Sequence, residues 1–183
     1  MKRHKRKIYI MLSTFHDRSS KVIRTFLNFG YSHASIGLEE DLNTFYSFVG
    51  KGFIVEKITR YAKPDREPFP CRVLELEVSE KVYNNIKNYL RTCVECRDDL
   101  HYTRTGVALT LLRFPPLPYK RRGHYHCSHF VAEVLQNCKA AKLSRSCDRF
   151  RPSDFGSIPG MRLHYQGNMH DMVNVFHLSR NPA

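Results

Sequence analysis

A chain of 183 residues with 42% hydrophobic content is long enough for one domain with its own core. Thirty Lys and Arg against 17 Asp and Glu give a net charge of +13, which admits a polyanionic partner. The Gly and Pro content excludes a collagen-like chain, and no internal repeat or low-complexity tract is present.

The basic residues are scattered and cluster only at 2–7 and 120–122. No nucleic-acid motif accompanies them, which argues against a dedicated nucleic-acid binder. The basic start, Lys2 to Lys7, is followed by the short apolar run Ile8-Tyr9-Ile10-Met11-Leu12. That run is too short for a signal peptide, and no small-residue cleavage site follows. No segment approaches the roughly twenty apolar residues of a membrane span. The six cysteines (71, 93, 96, 127, 138 and 147) form no regular framework. They read as reduced thiols, and the expected location is the cytoplasm.

In chain order, residues 7–12 read as a buried strand. Residues 19–29 read as a helix, with Val22, Ile23, Phe26, Leu27 and Phe29 apolar and Gly30 as the stop. Residues 32–38 alternate as a strand, 39–43 turn, and 44–49 return; Gly50 and Gly52 break the pattern before an extended piece at 53–58. Residues 62–70 are a Pro-containing loop. Residues 71–78 alternate Val73, Leu74, Leu76 and Val78 against Arg72, Glu75 and Glu77, as a strand does. Ser79 can cap a following helix whose apolar face is Val82, Ile86, Leu90 and Cys93, with Glu80 favourable in its first turn. Residues 106–112 are apolar and expected to be buried. Residues 114–119 end that stretch and lead into a basic loop. Residues 151–155 read as a turn packed on the body, and the polar tail after 167 reads as loose.

The most informative run is His124-Tyr125-His126-Cys127-Ser128-His129-Phe130-Val131-Ala132-Glu133-Val134-Leu135. Phe130, Val131, Val134, Leu135 and Cys138 recur at helical spacing. Cys127 falls at the start of that stripe, where unpaired N–H groups and the helix dipole favour a thiolate. Such a cysteine, with a histidine elsewhere in the chain, is the arrangement of a thiol nucleophile. The competing reading is a small buried core residue.

Of the ten His, His33 is the candidate base. It lies in Tyr31-Ser32-His33-Ala34-Ser35-Ile36-Gly37-Leu38, a strand of small and apolar neighbours and hence a rigid platform. Its competing reading is a satisfied core histidine. If the hairpin turn centres near Glu40, residue 47 lies opposite residue 33 on one face. Ser47 could then accept a hydrogen bond from the imidazole. His124, His126 and His129 invite a zinc reading with Cys127, but they lack the paired spacing of structural zinc sites. Cys93 and Cys96 form a lone C-x-x-C. No metal and no cofactor is therefore expected. His126 and His129 are expected at a pocket rim or in solvent.

The Tyr31–Leu38 run, then Phe45-Tyr46-Ser47-Phe48, then the run from Tyr125 to Leu135 together resemble the YiiX/YaeF-type permuted papain-like enzymes. These belong to the NlpC-like branch of the papain superfamily, with lecithin retinol acyltransferase as a distant relative. In that group the histidine strand precedes the cysteine helix, as His33 precedes Cys127. The resemblance extends to Pro152-Ser153-Asp154-Phe155 and Leu163-His164-Tyr165-Gln166-Gly167. It implies Cys127 as nucleophile, His33 as base and Ser47 as the third polar residue. Tyr119 is similar to a pocket tyrosine of NlpC-like enzymes; Tyr31 and His126 are further pocket candidates.

The expected fold is accordingly α+β and circularly permuted papain-like. A small antiparallel sheet packs on the cysteine helix. Residues 7–167 form the catalytic domain, flanked by a basic tail at 1–6 and a polar tail at 168–183. The expected activity is thiol-dependent hydrolysis or acyl transfer at an amide or ester of unidentified identity. The alternatives are an inactive papain-like binding protein and a basic polyanion or membrane-surface binder.

Overall fold

Residues 8–12 are buried on both faces of a sheet, which explains why they form an unbroken apolar run rather than an alternating one. The computed structural model describes residues 5–14, 30–39, 41–61, 69–103 and 123–178. β1 (Lys5–Ser13) lies inside a six-stranded sheet with β2 (His33–Leu38), β3 (Asp41–Val49), β4 (Gly52–Lys57), β5 (Pro70–Ser79) and β8 (Arg162–Asn168). The strand order is β4-β3-β2-β1-β5-β8, and every pairing is antiparallel. A two-residue parallel pair, β6 (His101–Tyr102) and β7 (His124–Tyr125), lies apart from it. The expectations at residues 19–29, 62–68, 106–112 and 114–119 lie outside the described residues.

Two helices cover one face of the sheet. α1 (Glu80–Glu95) starts at Ser79, whose hydroxyl accepts from the Val82 N–H at 3.3 Å. Its Tyr83, Ile86 and Leu90 are buried at helical spacing. α2 (Cys127–Asn137) buries Phe130, Val131, Val134 and Leu135. These pack with Ile8, Ile10, Leu12, Ile36 and Leu76. Each such side chain contributes roughly 1.5–3 kcal/mol by leaving water. α2 stops where Lys139 turns left-handed at φ 58°; Lys139 N–H donates to Gln136 O and Ala140 N–H to Leu135 O, which satisfies two end carbonyls.

The opposite face carries a second core of Tyr9, Met11, Phe45, Cys71 and Val73. α3 (Met169–Leu178) covers it with Met169, Met172 and Val173. This corrects the polar tail expected from residue 168. The apolar residues at 169, 172 and 173 fall on one helical face, and polar neighbours mask them in a window average. The basic start also differs, since β1 begins at Lys5. Lys5 and Lys7 pair there with Glu77 and Glu75 across the strand boundary. Among the described residues no helix is long and apolar enough to cross a membrane.

The β2–β3 hairpin contains an irregularity that moves the site. Leu38 pairs with Asp41, but Gly37 pairs with Phe45 and Ile36 with Tyr46. Residues 42–44 therefore bulge from the pairing with β2, while Thr44 still pairs with Lys57 of β4. The Asp41 carboxylate holds them, accepting from the Asn43 N–H at 3.0 Å and from the Thr44 hydroxyl. Asn43 Oδ1 in turn accepts from the Thr59 N–H at 3.0 Å. At Gly37 the backbone passes so close to Phe45 that an added Cβ would sit 2.8 Å from its ring. Continued along the strands, this register sets residue 47 opposite 35 rather than 33.

Candidate active site

Cys127 is the first residue of α2, and His126 before it is extended at φ −110°, ψ 166°, as a cap residue must be. The cap is made by imidazole: His126 Nδ1 accepts from the His129 N–H at 3.3 Å. The His126 Nε2–H meets Asp148 O at 3.2 Å. These two bonds fix the ring beside the sulfur. His126 is thus buried as a helix cap, not spread on a rim or in solvent. The backbone amides at the helix start have no partner inside the helix and point out of its end.

The Cys127 Sγ lies 3.9 Å from Ser32 O and 3.9 Å from Ser128 Oγ. His33, next along β2, is hydrogen-bonded to Cys127, although 94 positions separate them (127 − 33). α2 packs across β2 and β3, which brings the helix start to the strand start. The other side of the His33 ring meets β4: Nε2 lies 2.5 Å from Glu56 Oε1. Both side chains are almost fully buried, at 5% and 1% exposure.

The electrostatics follow from this sandwich. Burial alone would lower the His33 pKa; the Glu56 charge and the hydrogen bonds to Cys127 and Glu56 override it and raise it to about 10. Burial alone would raise the Cys127 pKa; contact with the His126 and His33 rings, and the His33 charge, hold it well below the usual 9.0. Both directions favour a thiolate beside an imidazolium. Burial drives other thiols the opposite way: Cys71 and Cys93 are pushed up to about 12, and Cys138 is raised as well.

Ser47 is buried, but its hydroxyl donates to Ala34 O at 2.6 Å instead of meeting His33. The bulge at 42–44 is the reason: it carries Ser47 two positions along the strand from the register expected. Glu56, not Ser47, meets the His33 ring. The sequence held one sign of it. Gly52, Ile54 and Glu56 share one face of β4, so a carboxylate falls at an inward position of the strand. Tyr31 is half-buried beside the site, with the Arg72 guanidinium 5.6 Å from its ring centre. Tyr119 lies outside the described residues.

The other histidines of the motif do not converge on Cys127 as ligands. His129 pairs with Glu133 at 3.4 Å, and His124 sits 5.3 Å from His101, ring centre to ring centre. Glu133 also accepts from Tyr125 at 2.9 Å and Tyr89 at 3.2 Å. This network ties α2 to α1 and β7 and was not foreseen. Among the described residues no group of three or more His, Cys, Asp or Glu could hold a metal ion.

No protein-family model matches the chain, and no curated protein matches it. Among solved structures the chain is similar to the crystal structure of metalloprotein YiiX from Escherichia coli O157:H7, DUF1105, at 14% identity and a TM-score of 0.51. The match covers 88% of this chain and 97% of that one. The likeness is one of fold: a mixed α/β, YiiX-like architecture built on the antiparallel sheet described above.

Proposed function

We propose that the protein is a cysteine hydrolase or acyltransferase of permuted papain-like type, acting on an amide or ester carbonyl. The observation that carries this reading is the buried chain of contacts from Glu56 through His33 to Cys127. A cysteine serving only as core would have its pKa raised by burial, as Cys71 and Cys93 do. The order of the parts along the chain, His33 strand first and Cys127 helix second, supports the permuted arrangement.

In this mechanism the Cys127 thiolate attacks the carbonyl carbon and forms a tetrahedral oxyanion. The Cys127 and Ser128 amides of α2, which have no partner inside the helix, stabilise that charge together with the helix dipole, while the His129 amide is taken by the His126 cap. The His33 imidazolium then gives its proton to the departing amine or alkoxide. An acyl-thioester remains on Cys127. Neutral His33 takes a proton from water or another acceptor as that acceptor attacks, which releases the acyl group and restores the ion pair. Glu56 keeps the imidazole facing the sulfur and stabilises its charged form.

The fold neighbour is described as a metalloprotein. The donor set here does not fit that role, because no group of three or more of the described His, Cys, Asp and Glu side chains is placed to hold a metal ion. The test is a screen of peptide, isopeptide, cell-wall and lipid esters and amides against wild type, Cys127→Ala and His33→Ala. Wild type should turn over at least one class, and each variant should lose about 10³-fold or more. Turnover that survives in Cys127→Ala would reject the mechanism.

A further inference from the structure

Arg72 is a cation on the sheet near Tyr31, with no acid paired to it among the described residues. Its Cα pairs with Leu12, and Leu12 pairs with Ala34, the neighbour of His33. Two strand spacings, roughly 10 Å, therefore separate the Arg72 backbone from the site strand. The guanidinium leans over Tyr31, 5.6 Å from the ring centre. Tyr31 precedes Ser32, whose carbonyl touches the Cys127 sulfur at 3.9 Å.

The fork is fixed in place. Nε and Nη2 of Arg72 both donate to Gln166 Oε1 on β8, at 3.0 and 2.8 Å. That acceptor is neutral, and among the described residues no hydrogen bond engages the Nη1 edge. Among the described residues no carboxylate pairs with Arg72. Other cations on this sheet differ: Lys5 pairs with Glu77, Lys7 with Glu75, and Arg6 with Glu39 and Glu80. A positioned guanidinium with a free planar edge matches a carboxylate in two-point contact.

We propose that Arg72 is a specificity residue that selects substrates carrying a carboxylate a few bonds from the scissile carbonyl. This rests on the reading of Cys127 as the nucleophile. A substrate with an acidic side chain or a terminal carboxylate a few bonds from the attacked carbon carries the group that such a fork binds.

The test compares alkylation of Cys127 by bromoacetyl-β-alanine and by neutral N-propyl-bromoacetamide at constant ionic strength, followed by mass-resolved peptide mapping. In both, the thiolate displaces bromide, so turnover is not required. Wild type should favour the anionic reagent at least tenfold. Arg72→Gln should bring that ratio down to one or below, and Arg72→Lys, which keeps the stem and charge, should recover part of it. An equal ratio in wild type and Arg72→Gln overturns the role of Arg72 while leaving the nucleophile standing. Slower reaction of Cys127 than Cys96 with the neutral reagent overturns both. A third reagent, bromoacetyl-phosphoethanolamine, distinguishes the anion: an Arg72-dependent preference for it over the carboxylate overturns the carboxylate assignment.

Discussion

Glu56 donates nothing and attacks nothing, yet the charge state of the site depends on it. Its Oε1 holds His33 Nε2, and its Oε2 is buried with no hydrogen-bond partner among the described residues. Replacement by Gln keeps the shape and removes the charge that favours imidazolium. The His33 pKa should then fall from about 10 toward or below its usual 6.5, because burial acts unopposed by that charge. In the proposed mechanism His33 must be protonated to serve as the acid, so activity fails on the alkaline side as its proton is lost. Wild type should keep its activity until the pH nears 10. Glu56→Gln should lose it at lower pH, with kcat/KM down by about 10²-fold or more at neutral pH. An unmoved alkaline limb in the variant would show that another group orients and charges His33.

At the scale of elements, the parts that follow from local periodicity were readable in the sequence. Ser79 and the stripe at 82, 86 and 90 define α1, and the stripe from Phe130 to Leu135 defines α2 with Cys127 at its start. His33 was readable as an odd polar residue in a strand of small and apolar neighbours. Its partner was not, because pairing across strands depends on register, and register depends on a bulge that no periodicity encodes. Asp41 and Asn43 build that bulge with hydrogen bonds that read locally as an ordinary polar turn. The tight contact between Gly37 and Phe45 fixes it from the other strand. Gly37→Ala should therefore destabilise the domain by about 1–3 kcal/mol through overpacking, seen as a lower midpoint in urea. Gly50→Ala is the control, since an added Cβ there meets nothing within 4 Å. Equal midpoints for the two variants would mean that the hairpin does not need the close approach.

At the scale of the molecule, the sheet and α2 bring three distant segments to one buried point: the start of β2, the start of α2 and the end of β4. The fold alone does not define an activity; the pairing of charges at that point carries the argument. Its most direct test is a competition among the six thiols for limiting iodoacetamide as a function of pH, resolved by peptide mass. The account predicts that Cys127 is labelled first and at a rate already near its plateau at pH 7, while Cys71 and Cys93 stay unmodified. Glu56→Gln and His33→Ala should shift the Cys127 profile to higher pH. Labelling of Cys127 that only begins to rise near pH 9, or that lags behind exposed Cys96, would contradict the thiolate–imidazolium pair and the function built on it.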